Sequence, residues 1–144
     1  MVEVGHKEVT QRKAVAQAIV RMQPETRTQL MQGNLPKGDA LQVARVAGVM
    51  AAKKTPDLIP LCHPIPISGI DIHLNPLGED QIQVLAEVRN TAKTGVEMEA
   101  LTACSITALT LYDMAKAIDP KMEILNICLL EKDGGKNGHW LRDK

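Results

Sequence analysis

The amino-acid sequence predicts an α+β domain with an antiparallel sheet and helices packed on one face. Three segments alternate apolar and polar residues with the two-residue period of a β-strand, and a fourth, largely apolar segment near the C-terminus is predicted to be the last strand. Two helical segments separate the first strand from the second, and a long apolar helix separates the third from the fourth. With 144 residues, 44% of them apolar, one core suffices, so residues 1–144 are predicted to form a single domain. The order β, helices, β, β, helix, β is typical of a ferredoxin-like sandwich.

The first strand and the two helices after it follow from alternation, proline and glycine. Residues 12–23 are predicted to form a strand, since every second residue is apolar on one face: Ala14, Ala16, Ala18, Val20 and Met22. Pro24 ends this strand and begins a short helix that closes at Gly33. Asp39 is the predicted N-cap of a second helix, which ends near Lys54 because Pro56 follows.

The second half of the chain is predicted to contain a hairpin, a buried helix and a last strand. Residues 65–77 and 81–91 alternate, and the turn NPLGED joins them. Residues 96–118 are apolar almost all round, which indicates a buried central helix. Residues 122–132 form the last strand, before the Gly-rich DGGKNGH.

Composition restricts the ligands and partners. Lys plus Arg and Asp plus Glu number 17 each, so no overall field attracts nucleic acid or an anionic membrane, and an anion site must be a local cluster. One Trp, one Tyr and no Phe leave few stacking surfaces for a ring-shaped ligand. Three cysteines without CxxC spacing argue against a disulfide scaffold or a Cys-rich zinc site. Because signal-peptide and membrane-span patterns are also lacking, we expect a cytoplasmic protein.

Asp113 and Lys116 are the first candidate functional pair. They lie three residues apart on the central helix, so they share a face and can form an ion pair. An apolar helix carries such a pair either at a site or at its solvated end. The alternative is therefore a polar last turn, in which Lys116 complements the helix dipole.

Glu97 and Glu99 lie at the start of the same helix. Thr94 followed by Glu97 has the spacing of a capping box, which gives Glu97 a structural role. Glu99 has no such role, and 14 residues separate it from Asp113, which is about 21 Å along a helix. One small site cannot easily use both, which points to sites assembled from neighbouring subunits.

Three lysines lie beside glycine-rich or proline-containing turns: Lys37 in PKGD, Lys132 in LLEKDGG and Lys136 in GGKNG. Ammonium groups and loop amides at such turns can converge on a phosphate, although surface lysines beside turns are also common. GGKNG is not a phosphate-binding loop of the GxxxxGK[ST] type.

Cys62 and His63 stand together between prolines in DLIPLCHPIPISG. In an extended segment neighbouring side chains point to opposite faces, so the two are poorly placed as nucleophile and general base. No HxxxH or CxxC pattern supplies further metal ligands, and we predict no metal site. The remaining interpretation is a proline-fixed loop in which Cys62 is a small buried apolar residue and His63 either contacts a ligand or is structural.

Three long strings together resemble one family. They are KGDALQVARVAGVMAAKKTPDLIPLCHPI, KTGVEMEALTACSITALTLYDMAKA and LLEKDGGKNG, in this order and spacing. The chain resembles molybdenum cofactor biosynthesis protein C, the cyclic pyranopterin monophosphate synthase family, over nearly its whole length. The resemblance implies a lyase that converts 3′,8-cyclo-7,8-dihydroguanosine 5′-triphosphate to cyclic pyranopterin monophosphate and releases pyrophosphate. It also implies a homohexamer, a trimer of dimers with active sites at the dimer interface.

The resemblance also implies roles for individual residues. Asp113, Lys116 and Lys37 match catalytic positions. Substrate-binding positions are matched by Leu61, Cys62, His63, Glu97, Met98, Glu99, Arg12, Lys132 and Lys136. No tightly bound cofactor is implied, although Mg²⁺ can accompany a triphosphate. Convergent cations would stabilise the charge that builds on the leaving pyrophosphate, and an ionised Asp113 could relay protons.

Some residues depart from the family pattern, and two other functions stay open. Glu3 replaces the usual aspartate, Gly5 the usual serine and Asn137 a serine of the Gly-rich segment, and we expect no counterpart of the family's usual leader before Met1. The first alternative function is an oligomeric protein that senses or stores a nucleotide with the same lysines but without turnover. The second is a metalloenzyme centred on Cys62 and His63.

Overall fold

A computed structural model describes residues 1–143 of the chain. Within these residues the elements are, in chain order, β1 (Thr10–Arg21), α1 (Pro24–Gln32), α2 (Ala40–Lys53), α3 (Thr55–Leu58), β2 (Gly69–Leu77), β3 (Gln81–Ala92), α4 (Glu97–Ala115), β4 (Glu123–Asp133) and β5 (Trp140–Leu141). None of the helices in this part of the chain combines the length and apolar character needed to cross a bilayer.

The strands form one sheet in the order β2-β3-β1-β4-β5, and every neighbouring pair is antiparallel. The helices cover one face of it: α4 packs on β1, β3 and β4, and α2 packs on β2 and α4. The predicted α+β class, with helices on one face of an antiparallel sheet, is confirmed. The ferredoxin-like comparison stays an interpretation of the strand order.

Small residues bring the helices close to the sheet. The predicted apolar face of β1 is confirmed, since Ala14, Ala16, Ala18 and Val20 are completely buried. Because alanine side chains are short, α4 approaches the strand backbone, and the thiol of Cys104 donates a hydrogen bond to the Gln17 carbonyl at 3.3 Å. Such a close approach leaves little freedom in how α4 lies across the sheet.

The element boundaries differ from the predictions where tertiary contacts decide them. The first strand begins at Thr10 because it pairs with Ala92, and it ends at Arg21. The central helix ends at Ala115, three residues before the predicted end, in a turn where the Ile118 and Asp119 amides both bond to the Ala115 carbonyl. The short α3 and β5 were not predicted, since four and two residues carry too little pattern to recognise.

Asp119, in the turn after α4, holds the start of α1. The N-cap residue of α1, Gln23, makes no capping bond with its own side chain. Instead the buried Asp119 carboxylate accepts hydrogen bonds from the Gln23 amide at 2.9 Å and the Thr26 hydroxyl at 3.0 Å. A residue distant in sequence thus performs the capping, which fixes α1 to the C-terminal end of α4.

Candidate active site

Lys37, Asp113 and Lys116 form a compact charged group, called here the lysine–aspartate group. The Lys37 Nζ lies 3.0 Å from Asp113 Oδ2, and the Lys116 Nζ lies 3.1 Å from Oδ1. Hydrogen bonds from Lys37 and then Lys116 lower the pKa of Asp113 below its ordinary value. The carboxylate therefore stays ionised at neutral pH, between two ammonium groups in a half-exposed setting.

Local structure brings Lys37 to this group. The turn Leu35–Gly38 closes with a hydrogen bond of 2.9 Å between the Gly38 amide and the Leu35 carbonyl, and Gly38 takes a φ of 112°, which favours glycine. Asp39 then caps α2 as predicted, accepting from the Gln42 amide at 3.3 Å. The predicted sharing of a face by Asp113 and Lys116 is confirmed, whereas the contact of Lys37 across 76 positions depends on the fold.

A second group surrounds the start of α4, and Glu99 is its buried member. Only 1% of Glu99 is exposed, and the Cys62 thiol lies 3.8 Å from its Oε2. Burial raises the pKa of Glu99. Burial, and then the nearby Glu99, also raise the pKa of Cys62, so the thiol stays protonated. A protonated thiol is a poor nucleophile, which agrees with the prediction that Cys62 is not a reactive group.

His63 and Cys62 have different partners. The His63 Nε2 lies 2.6 Å from the Val2 carbonyl oxygen, in the N-terminal segment, while Cys62 faces Glu99. The predicted separation of the two side chains is confirmed. Cys62 is only partly buried, so its description as a small buried residue was too simple. Within residues 1–143, no three His, Cys, Asp or Glu side chains are grouped as a metal-ion site.

Glu97 does not form the predicted capping box. The helix begins one residue after Val96, with no side-chain cap bond, so Glu97 is the first helical residue instead of the third. Its carboxylate is consequently free of Thr94, and its Oε1 lies 3.6 Å from the Lys132 Nζ. The capping prediction was wrong because spacing alone could not locate the helix start.

The other predicted binding residues lie around the same end of α4. Arg12 donates to the carbonyl oxygens of Ala92 at 3.0 Å and Lys93 at 3.2 Å, and it lines a cavity of about 520 Å³ together with Lys136. Leu61 and Met98 are exposed by 70% and 37%. We call the following residues the α4 N-terminal group: Arg12, Leu61, Cys62, His63, Glu97, Met98, Glu99, Lys132 and Lys136.

One chain does not bring the two groups together. They occupy opposite ends of α4, where Glu99 and Asp113 are about 21 Å apart along the axis. Sequence reasoning missed His6, Lys7 and Thr10, which share the cavity of Arg12 and Lys136. The adjacent basic residues His6 and Lys7 were the available signal, but only the fold places them opposite the Gly-rich turn.

Comparison with known proteins gives consistent results. The MoaC family pattern matches residues 1–135. A protein named cyclic pyranopterin monophosphate synthase, from Pelotomaculum thermopropionicum, is 55% identical over 143 residues, which cover 99% of this chain and 84% of that protein. A molybdenum cofactor biosynthesis bifunctional protein from Synechococcus elongatus is 54% identical over 143 residues, covering 99% of this chain but 45% of that protein. This chain thus spans slightly less than half of the bifunctional relative.

Proposed function

This chain belongs to the MoaC family, and from that membership we propose that it converts 3′,8-cyclo-7,8-dihydroguanosine 5′-triphosphate to cyclic pyranopterin monophosphate with release of pyrophosphate. It is a lyase-type synthase of molybdenum cofactor biosynthesis. We place it in the cytoplasm, where its three free cysteines stay reduced.

The observation that carries the proposed mechanism is the lysine–aspartate group. Asp113 lies within 3.1 Å of both lysines, and its lowered pKa keeps it ionised. An ionised carboxylate can accept a proton, and a neighbouring ammonium can donate one, so the group holds both halves of an acid–base pair. Ring opening and pyrazine closure both require such transfers.

In this proposal the cations of the α4 N-terminal group assist the release of pyrophosphate. Loss of pyrophosphate builds negative charge on the leaving oxygens, which Arg12, Lys132 and Lys136 would stabilise. In this proposal Leu61, Cys62, His63, Glu97, Met98 and Glu99 contact the rest of the substrate. The enzyme holds no cofactor tightly, and Mg²⁺ enters with the triphosphate.

Direct assay tests the proposal. Wild-type protein incubated with the cyclised triphosphate should yield pyrophosphate and the cyclic pyranopterin. Asp113→Asn and Lys116→Ala should abolish product formation while retaining the fold. Glu123→Gln is the matched control, because it removes a carboxylate of similar exposure from another surface ion pair, with Arg21 at 2.6 Å, and should retain full activity. Normal product yield from either site variant would refute the assigned roles.

A nucleotide-binding protein without turnover is the rival function. Such a protein would use the same lysines to hold the ligand, but it would form no product even as wild type. Asp113→Asn separates the two functions when ligand binding and product formation are both measured. Removal of this carboxylate should leave the binding of an anionic ligand unchanged or make it stronger under either function. Only in an enzyme is there a turnover for this substitution to remove.

We further propose that the chain acts as a homohexamer, a trimer of dimers, in which each site joins the lysine–aspartate group of one subunit to the α4 N-terminal group of another. The separation of the groups along α4 supports a shared site. So do large apolar side chains exposed on the helices: Val43, Val46, Met50 and Leu109. In a single chain these side chains have no core to pack against.

Mixing two inactive variants tests the shared site. Asp113→Asn and Lys132→Ala would each damage a different half of every site. In a two-fold dimer that exchanges subunits at random, mixed dimers contain one intact site, so about a quarter of wild-type activity should return. A mixture as inactive as its components, although exchange is verified by mass, would place each site within one subunit.

A further inference from the structure

A cavity of about 520 Å³ lies between the N-terminal segment, residues 1–9, and the Gly-rich turn, residues 134–138. It is lined by His6, Lys7, Glu8, Thr10, Arg12, Gly135 and Lys136. Three basic side chains and one imidazole thus face a single carboxylate, although the chain as a whole has no net charge. Such a local excess of positive charge attracts a small polyanion.

Groups able to donate hydrogen bonds remain free in this cavity. Arg12 uses its Nε and Nη2 on the Ala92 and Lys93 carbonyls, and its Nη1 has no protein acceptor within residues 1–143. The Thr10 hydroxyl oxygen is buried without any partner in that same part of the chain. Buried polar atoms normally find a partner, so an unpaired hydroxyl on a residue that lines the same cavity as a free guanidinium nitrogen suggests a bound ligand or ordered water.

The Gly-rich turn is shaped to approach these donors. Gly134 and Gly135 have φ values of 95° and 80°, which favour glycine. A Cβ at Gly135 would overlap the Arg12 Nη1, and one at Gly134 would overlap the Gln11 carbonyl. The turn backbone therefore lies directly against β1 and beside the free guanidinium nitrogen.

The N-terminal segment is fixed over the cavity by two contacts. The Val2 carbonyl meets the His63 ring at 2.6 Å, and the Gly5 carbonyl accepts from the Lys93 Nζ at 3.1 Å. His6 and Lys7 follow immediately, so their position is set by the body of the protein. His63, a predicted substrate-binding residue, thereby links this segment to the candidate active site.

We propose that the N-terminal segment supplies His6 and Lys7 to a polyphosphate subsite, completed by Thr10, Arg12, Lys136 and the Gly-rich turn. The inference rests on the proposed function, in which the substrate carries a triphosphate and the product pyrophosphate. It adds to that function two residues, His6 and Lys7, to which the family resemblance above gave no role. Lys7 provides a charge-assisted contact and His6 a ring N–H donor.

Inorganic pyrophosphate is a direct probe, measured by calorimetry on the full chain without any turnover. Lys7→Gln should weaken pyrophosphate binding about 10-fold, as expected for loss of one charge-assisted contact, and His6→Gln/Lys7→Gln should weaken it further. Lys121→Gln is the matched control, because Lys121 is exposed at a different cavity. Both lysines are exposed, so thermal melts should show that every variant folds.

Two outcomes would overturn the subsite. The first is unchanged pyrophosphate affinity in Lys7→Gln, or an equal loss in Lys121→Gln. The second is a wild-type protein that does not bind pyrophosphate at all. Kinetics separates this inference from the proposed function: if wild type forms product and Lys7→Gln has the same KM, the synthase assignment stands and the subsite fails. If wild type forms no product, the binding measurement still decides the subsite.

Discussion

Gly48 of α2 allows the two long helices to pack closely, and its replacement by alanine tests how tightly they are held. A Cβ at Gly48 would lie 2.5 Å from the Ile72 Cδ1 and 3.1 Å from the Ala103 carbonyl oxygen, and it would overlap the Thr107 hydroxyl. That hydroxyl is completely buried and donates to the Ala103 carbonyl at 2.8 Å. It therefore cannot turn away without losing its bond.

The expected cost combines three effects. Overpacking a core by one methyl group costs about 1 to 3 kcal/mol. Loss of the Thr107 bond adds about 1 kcal/mol, while alanine is better than glycine in a helix by about 1 kcal/mol. We expect Gly48→Ala to lower the free energy of unfolding by about 2 kcal/mol. For a chain of this length that corresponds to a fall in Tm of about 6 °C.

Calorimetry and urea unfolding measure this effect, and a double-mutant cycle identifies its cause. Ile72→Val removes only the Cδ1 atom, so it should restore part of the stability of Gly48→Ala while costing about 1 kcal/mol in wild type. Lys53→Ala, at an exposed polar position of the same helix, is the control for helix propensity. An unchanged or raised Tm in Gly48→Ala would refute the close packing of α2 on α4.

Three further changes test other parts of the structure. Burial raises the pKa of Glu99, so the native state binds its proton more tightly, and the free energy of unfolding should fall as pH rises from about 4.3 through that raised pKa. In urea melts across pH 4 to 7, the free energy of unfolding should fall less with rising pH in Glu99→Gln than in wild type. Equal pH slopes in the two proteins would contradict this. Asp119→Ala should lower the free energy of unfolding, measured by urea melts, by about 2 kcal/mol, because it removes the cap of α1 and leaves the Thr26 hydroxyl buried without a partner. An unchanged free energy of unfolding would disprove the capping role. Lys116→Arg keeps a positive charge beside Asp113, but a guanidinium does not release its proton as an ammonium can. The rate of product formation should therefore fall about 100-fold or more. Full activity would mean that Lys116 supplies charge alone.

The fold could be predicted where one pattern decides the structure. The alternation in β1 identified its buried face, and the proline-free apolar run identified α4. Patterns failed where a distant residue decides the outcome. The start of α1 depends on Asp119, a turn residue that lies 96 positions beyond Gln23, and no local spacing reveals it. The capping box failed similarly, because Thr94 lies in a bend before the helix.

The contacts of the candidate site could likewise be predicted only where the spacing within one element decides them. Asp113 and Lys116 share one helix, so their spacing alone predicted contact. Lys37 reaches Asp113 only through the packing of α2 on α4, and no local pattern predicts this contact, which only the family resemblance indicated. Lys132 lies on β4 next to β1, and its proximity to Glu97 follows from strand pairing that the sequence does not specify.

The electrostatics of Asp113 divides the proposed roles within its group. Lys37 and Lys116 lower the pKa of Asp113, which makes its carboxylate a stable acceptor and a poor proton donor at neutral pH. A reaction that opens one ring and closes another must also protonate a leaving atom, so the donor in the proposed mechanism has to be one of the two ammonium groups. Lys116 is fixed one helical turn from Asp113, whereas Lys37 comes from a turn between α1 and α2. The three residues therefore combine a base and an acid held by α4 with a second cation whose position depends on the packing of α2.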